Sequence, residues 1–416
     1  MPPARPADPS AHRIDTASLS PGIQPFEVEF SGSGGEFFRV WIVNLLLNIL
    51  TLGFYTPFAR RRTAQYFYSH TRVAGSPLEF IAPQGKMVAG FLLLVLIYVA
   101  FQVAAETGQD TTVALFMLGA AALAPYLWAS AMRFRLGATR WRGVRLQFAA
   151  GWGEVYKASW PVFATALVWI VTVAAFTAMV GDLPQPGSRR AAARLLPDIP
   201  AAAWLLAAGA LIATLLCIIR LEFNYKSLLV SRAHVGEQAG RWKPVYRDFV
   251  RIWMATLGVF LASAAVFALV VAAVAGGSFT AMAGRPMGLR IALMAVAASV
   301  AFLLGLLLAS APARAYRQAR MFQLVWNSVG VSTIARFKCR LRVRAFVLLR
   351  LKNMLLTLLT LGFYRPFALV SEYRMKTQSV TMHVKGGLDQ LVGQLMSQQG
   401  GLGDAMADVV GLDLVG

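Results

Sequence analysis

The sequence predicts a mainly α, polytopic membrane protein with short β-strands in a cytoplasmic layer, and three observations predict it. Hydrophobic residues make up 57% of the 416-residue chain and charged residues 14%, against roughly a quarter charged in an ordinary soluble domain. Six uncharged stretches are each long enough to cross about 30 Å of hydrocarbon. Basic residues gather in every second connection between those stretches, as they do where cytoplasmic loops retain Lys and Arg.

The six stretches are Met87–Ala105, Thr111–Met132, Ala158–Gly181, Ile199–Ile219, Ile252–Gly284 and Ile291–Ala313. Connections on one side of them carry 26 Lys and Arg, and those on the other side carry 5. The net charge of +21 is therefore mainly a topology signal. No nucleic-acid-binding motif accompanies it, so no nucleic-acid partner is expected. An even number of spans with the first basic loop inside places both termini in the cytoplasm. Residues 1–24 read as a disordered Pro-rich leader, without the apolar core of a signal peptide, and residues 386–416 as a Gly-rich flexible tail. Cys217 lies in a span and Cys339 in a basic segment, and a reducing interior predicts no disulfide.

The external links are shorter than the internal ones, so three helical hairpins are expected to hang from the cytoplasmic layer. "FEVEF" (26–30), "LEFNYK" (221–226) and "FKCRLRVRAF" (337–346) alternate apolar and polar residues with period two and predict strands there. "TRVAGSPLEFIA" (71–82) matches "TRWRGVRLQFAA" (139–150) at a constant offset of 68. Gly75 and Gly143 stand at the same place in each box, and a repeated β-hairpin or half-hairpin follows.

A longer repeat joins the two ends of the chain. "LTLGFYTPFA" (50–59) returns as "LTLGFYRPFA" (359–368), and at the same offset of 309 Asn44 matches Asn353 and Phe37 matches Phe346. The copies, residues 26–70 and 335–379, read as strand, apolar helix, elbow and polar helix. Gly53 and Gly362 suit helix C-termini that need φ > 0. Pro57 and Pro366 suit the first turn of the next helix. Arg350 and Lys352 inside the second copy argue for helices that dip into the interface. The alternative is full crossing, as spans one and eight of eight.

These boxes together resemble the YjgN-like family of bacterial inner-membrane proteins, of unknown function. "NLLLNILTLGFYTPFARRRTAQYFYSHTRVAGSPLEF", "TRWRG" and "NMLLTLLTLGFYRPFA" carry the resemblance, which covers residues 25–385. It implies an integral inner-membrane domain and supplies no activity, cofactor or catalytic residue.

Chemistry-bearing patterns are few. His12, His70, His234 and His383 have no metal-ligand spacing, and no phosphate loop, nucleophile elbow or paired carboxylates appear. Neither an enzyme nor a cofactor is expected. Asn44 and Asn48, with Asn353, line a polar path or make interhelical hydrogen bonds. Arg72 and Arg140, in the matched boxes, hold lipid phosphates or form structural ion pairs. Arg314, Arg317 and Arg320 form a basic stripe on a helix leaving the membrane, facing anionic headgroups. Trp128, Trp160, Trp204 and Trp253 fall near span ends, as an interfacial belt predicts. Two functions remain open: a transporter or channel for a small or amphipathic solute, or a scaffold or lipid-interacting protein with a basic cytoplasmic surface.

Overall fold

The computed structural model describes residues 23–108, 110–180, 200–236, 238–281, 287–331 and 335–386. Except for residues 23, 24 and 386, the expected leader and tail lie outside them. Within them the chain repeats one unit five times: a strand, a helical insertion and a second strand. The first is β1 (Ile23–Phe30), α1 (Gly34–Leu50), α2 (Thr56–Ser69) and β2 (Thr71–Val73). The second is β3 (Ser76–Phe80), α3 (Gln84–Glu106), α4 (Asp110–Gly137) and β4 (Thr139–Trp141). The third holds β5 (Val144–Phe148), α5 (Trp152–Ala158), α6 (Trp160–Val180), α7 (Ala201–Ser231) and β6 (Ala233–Val235). The fourth holds β7 (Gln238–Arg241), α8 (Tyr246–Ala281), α9 (Met287–Ser328) and β8 (Gly330–Val331). The fifth holds β9 (Ala335–Cys339), α10 (Val343–Leu359), α11 (Arg365–Thr377) and β10 (Val380–Lys385).

Each strand pairs antiparallel with its sequence neighbours, and β1 pairs with β10, so the strands close into a barrel. Closure satisfies the backbone of strands too short to stand alone and leaves no open edge. Antiparallel order also sorts the connections. All five helical insertions leave one end of the barrel. The tight turns, together with the start of β1 and the end of β10, lie at the other.

Two of those turns are the matched boxes. Ala74 and Gly75 have φ of 49° and 78°, and Arg142 and Gly143 have 49° and 80°, the left-handed pair that a two-residue hairpin turn requires. The Arg142 guanidinium ties one hairpin to the other: Nε donates to Ser76 Oγ at 2.7 Å and Nη2 to the Ala74 carbonyl at 3.1 Å. Trp141 Nε1 donates to the Val73 carbonyl at 3.1 Å.

The first and fifth units are the long sequence repeat, and closure sets them side by side. Their elbows are alike. Gly53 and Gly362 have φ of 92° and 96°, and their N–H groups donate to the carbonyls of Asn48 and Thr357, both at 2.7 Å. Pro57 and Pro366 follow in the first turns of α2 and α11. Phe37 and Phe346 are fully buried, each contributing about 2 kcal/mol of apolar burial. Beyond the elbows the chain returns to the barrel end it left. A single crossing by either copy does not fit that connection.

Five helices among the described residues are long and apolar enough to cross a membrane: Gln84–Glu106, Trp160–Met179, Ala201–Ser231, Tyr246–Ala273 and Leu293–Ser328. The sixth expected span, Thr111–Met132, lies within α4, which continues through Pro125. The 17-residue helices α1 and α10 are not among the five.

Three strand expectations need correction. The strands form a closed barrel rather than a layer, and the two end modules and three further helical insertions rise from it. "LEFNYK" is helical, inside α7. Its Glu222 and Lys226 are four residues apart and bonded at 2.7 Å, a contact that helical spacing makes and a strand does not. "FKCRLRVRAF" is strand only to Cys339, and α10 starts at Val343. Alternation over so short a run does not separate the two periods when the helix begins inside it.

Candidate functional site: the barrel lumen and its basic mouth

Alternate residues of each strand face inward, and in this barrel the inward set is largely apolar, with Thr71 and Thr139 among it. Val28, Val73, Leu78, Trp141, Phe337 and Met382 wall a cavity of about 670 Å³, the size of a small-molecule pocket. A barrel of eight strands is just filled by its own side chains or holds one small ligand, and diameter grows with strand number. Ten strands therefore leave space.

The mouth lies at the helix end. It is ringed by the last turns of helices returning to the barrel: Tyr68 of α2, Arg135 and Leu136 of α4, Trp326 of α9, and Tyr373 and Lys376 of α11. Tyr373 shares a hydrogen bond of 2.9 Å with Thr71 Oγ1, and burial pushes its phenol above the ordinary range. Burial likewise holds the Lys376 ammonium below its ordinary range, against the pull of Glu372. Its Nζ stands 5.0 Å from the Phe346 ring.

A second cavity of about 460 Å³ adjoins the first, and Phe322, Trp326 and Lys376 line both. Five charged residues stand in its other walls: Lys226, Arg314, Arg317 and Arg350 face it together with Glu222, beside Gln318, Met321 and Val325. Glu222 is the hub. Its carboxylate accepts from Lys226 Nζ at 2.7 Å, Trp253 Nε1 at 2.8 Å and Arg317 Nη1 at 3.3 Å. The Arg317 guanidinium also lies over the Trp253 ring at 4.5 Å. Arg350 approaches Glu372 at 3.9 Å, and Arg314 Nη2 donates to Ser310 Oγ at 2.8 Å.

Of the basic stripe, Arg314 and Arg317 enter this vestibule and Arg320 does not. Each step of three residues falls about 60° short of a helical turn, which rotates Arg320 into a separate groove beside Asp248 and Arg251. Arg72 and Arg140 lie on the outer face of the barrel, opposite Glu29 and Glu79 on neighbouring strands. Asn44, Asn48 and Asn353 line neither cavity. They join the two helices of their own units, Asn48 Oδ1 accepting from Thr56 Oγ1 at 3.2 Å. Trp160 and Trp204 are exposed on their helices, whereas Trp253 is engaged with Glu222 and Trp128 stacks on Tyr225 with ring centroids 4.1 Å apart. Gly53, Pro57, Gly362 and Pro366 serve the elbows, remote in sequence from every residue of the vestibule except those of unit five.

Sequence reasoning missed Glu222, Lys226, Trp326 and Lys376. The four-residue spacing of Glu222 and Lys226 was a usable signal, since it marks one helical face. Nothing in the sequence marked Trp326 or Lys376, because their meeting depends on which helices end at the same barrel mouth. Among the described residues no group of three His, Cys, Asp or Glu gathers as a metal ion would need.

Comparison with known proteins agrees with this membrane architecture. The chain is 28% identical over 145 residues to the inner membrane protein YjgN of Salmonella typhimurium, covering 35% of this chain and 36% of that protein. It is 28% identical over 119 residues to inner membrane protein YjgN of Escherichia coli O157:H7, covering 29% of this chain and 30% of that protein. The matched stretch thus spans about a third of the length of these curated relatives. No solved structure matches. A family model described as "Bacterial protein of unknown function (DUF898)" matches residues 25–409, and the chain belongs to that family.

Proposed function

We propose that this is a lipid-interacting protein of the bacterial inner membrane, whose barrel takes the apolar part of one amphiphile from the bilayer. The single observation that carries the reading is the apolar lumen of about 670 Å³ opening at its helix end. The spanning helices support it. Apolar residues predominate on every side of α3, α4 and α6, so none of these three offers the polar stripe that a water-filled solute path requires. In α8 none of the spanning stretch is buried, which suits helices solvated by lipid.

In this reading the barrel and both ends of the described chain share the cytoplasmic side, in keeping with the basic connections. The elbows of units one and five then dip into the near leaflet. Leu52 and Leu361 at their tips are 89% and 90% exposed, and such exposed leucines suit hydrocarbon rather than water.

Lipid retention tests the proposal. Protein purified in mild detergent is expected to carry about one lipid per chain, detected by native mass spectrometry. Filling the lumen with Leu78→Trp should remove that lipid without changing the helical content. Equal retention by both proteins, together with flux of a polar solute across reconstituted liposomes, would sink the reading in favour of transport.

A further inference from the structure

We infer that the vestibule beside the lumen is a subsite for the phosphate group of the bound amphiphile. The inference rests on the lumen reading and adds the chemistry of the head.

Position supports it first. Arg314 directly follows the uncharged run Ile291–Ala313, and Glu222 stands three residues after the run Ile199–Ile219. Two helices thus bring charged residues to the cavity within three positions of the ends of their apolar runs, where headgroups begin. The apolar lumen joins this plane through Trp326 and Lys376, which line both cavities. A chain lying in the lumen places its head among the cations.

Charge supports it next. Five cations, Lys226, Arg314, Arg317, Arg350 and Lys376, line the vestibule with a single lining carboxylate, Glu222. Glu222 is already shared by Lys226 and Arg317, and Glu372 stands behind Arg350. Like charges gathered at low dielectric repel, and an anion between them relieves that repulsion. Arginine supplies the planar fork that binds phosphate oxygens in pairs, whereas lysine acts as a point charge. The Trp253 ring under Arg317 and the Glu222 carboxylate hold that guanidinium in place, so little side-chain freedom is lost on binding. Neutral and cationic heads gain nothing from this arrangement.

The test uses the full chain in nanodiscs of uncharged lipid, titrated with hexadecyl phosphate, hexadecanol, hexadecyltrimethylammonium and inorganic phosphate. Hexadecyl phosphate is expected to bind at least about tenfold more tightly than hexadecanol, and the cationic amphiphile more weakly than either. Raising salt from about 0.05 to about 0.5 M should weaken only the phosphate amphiphile. In Arg314→Gln/Arg317→Gln the preference should fall to within about threefold, with hexadecanol binding unchanged as the control for folding. Lys226→Gln, on the facing helix, should give a smaller loss of the same kind. Equal binding of hexadecyl phosphate and hexadecanol by the wild type would overturn the phosphate subsite and leave the lumen standing. Failure of every amphiphile to bind would overturn both. Inorganic phosphate is expected to compete only at high concentration; competition as strong as that of hexadecyl phosphate would reassign the site to a free anion and overturn the headgroup.

Discussion

Asn353 donates from Nδ2 to the carbonyl of Ala368, fifteen residues on, at 3.3 Å. The bond closes the hairpin of the fifth unit across its elbow, and its counterpart in the first unit runs from Asn44 to Ala59 at 3.4 Å. Both asparagines are buried. A buried donor aimed at a carbonyl acts as a clamp between helices rather than as the lining of a path.

Replacing either clamp residue by Ala is therefore expected to destabilise its hairpin by about 1 kcal/mol. Asn353→Ala should cost more than Asn44→Ala, because the Asn353 amide also reaches Ser371 Oγ at 3.0 Å and Glu372 Oε1 at 3.3 Å. Thermal unfolding in detergent measures both. Unchanged midpoints would show that the clamps contribute nothing.

The elbow glycines act through backbone conformation alone. A Cβ added at Gly53 or Gly362 meets nothing within 4 Å, yet both residues have strongly positive φ. Gly53→Ala and Gly362→Ala should each cost about 1 kcal/mol. Gly35→Ala, in the first turn of α1 with equal space and no positive φ, should be neutral or stabilise by about 0.5 kcal/mol. Similar effects at all three positions, followed by the same unfolding measurement, would refute the conformational account.

Acid should weaken the barrel at β10. Burial lowers the His383 pKa below its ordinary value, and Lys338 and Arg340 lower it further, against a backbone hydrogen bond that raises it. On the facing strands its partners in register are Arg336 and Pro25. The unfolded chain then binds a proton that the folded chain refuses between the folded pKa and about 6.5. Stability contributed by His383 is complete above that ordinary value and is lost as pH falls toward the folded pKa. Unfolding midpoints measured from pH 7.5 to 5 should fall, and His383→Gln should flatten that part of the profile. A variant with the same slope as the wild type would place the acid sensitivity elsewhere.

Topology follows from the connections. Because every helical insertion returns to the barrel end it leaves, Ser76 in the first hairpin, Gly143 in the second and Gly386 after β10 should all lie on one side. Single cysteines at these positions, with Cys217 and Cys339 replaced, are expected to react with an impermeant thiol reagent only after the cytoplasmic side is opened. Labels at Leu52 and Leu361 should be quenched by bromines attached near the headgroup end of the lipid chain. Labelling of Gly386 from outside intact cells would reverse the orientation.

Much of this architecture was legible in the sequence because it is local. Apolar runs long enough to cross a bilayer mark helices whatever their neighbours, and Gly53 and Gly362 mark elbows because few other residues adopt their φ. The matched boxes showed their turns at Gly75 and Gly143. "LEFNYK" misled because six residues satisfy period two by chance, and the helix that contains it extends from an apolar run on one side only. Three-residue spacing groups Arg320 with Arg314 and Arg317, but such steps drift around a helix.

By itself the sequence determined the membrane class, the two end modules and the family, since composition, periodicity and repeated boxes depend only on neighbours along the chain. Tertiary structure alone decided that ten short strands close on one another and that the first and fifth units meet. It also decided that Glu222, Arg317, Trp326 and Lys376 share one vestibule. Those strands are two to eight residues long, too short to reveal their partners by pattern. Their pairing is fixed by ring closure, where backbone hydrogen bonds distant in sequence are satisfied together or not at all.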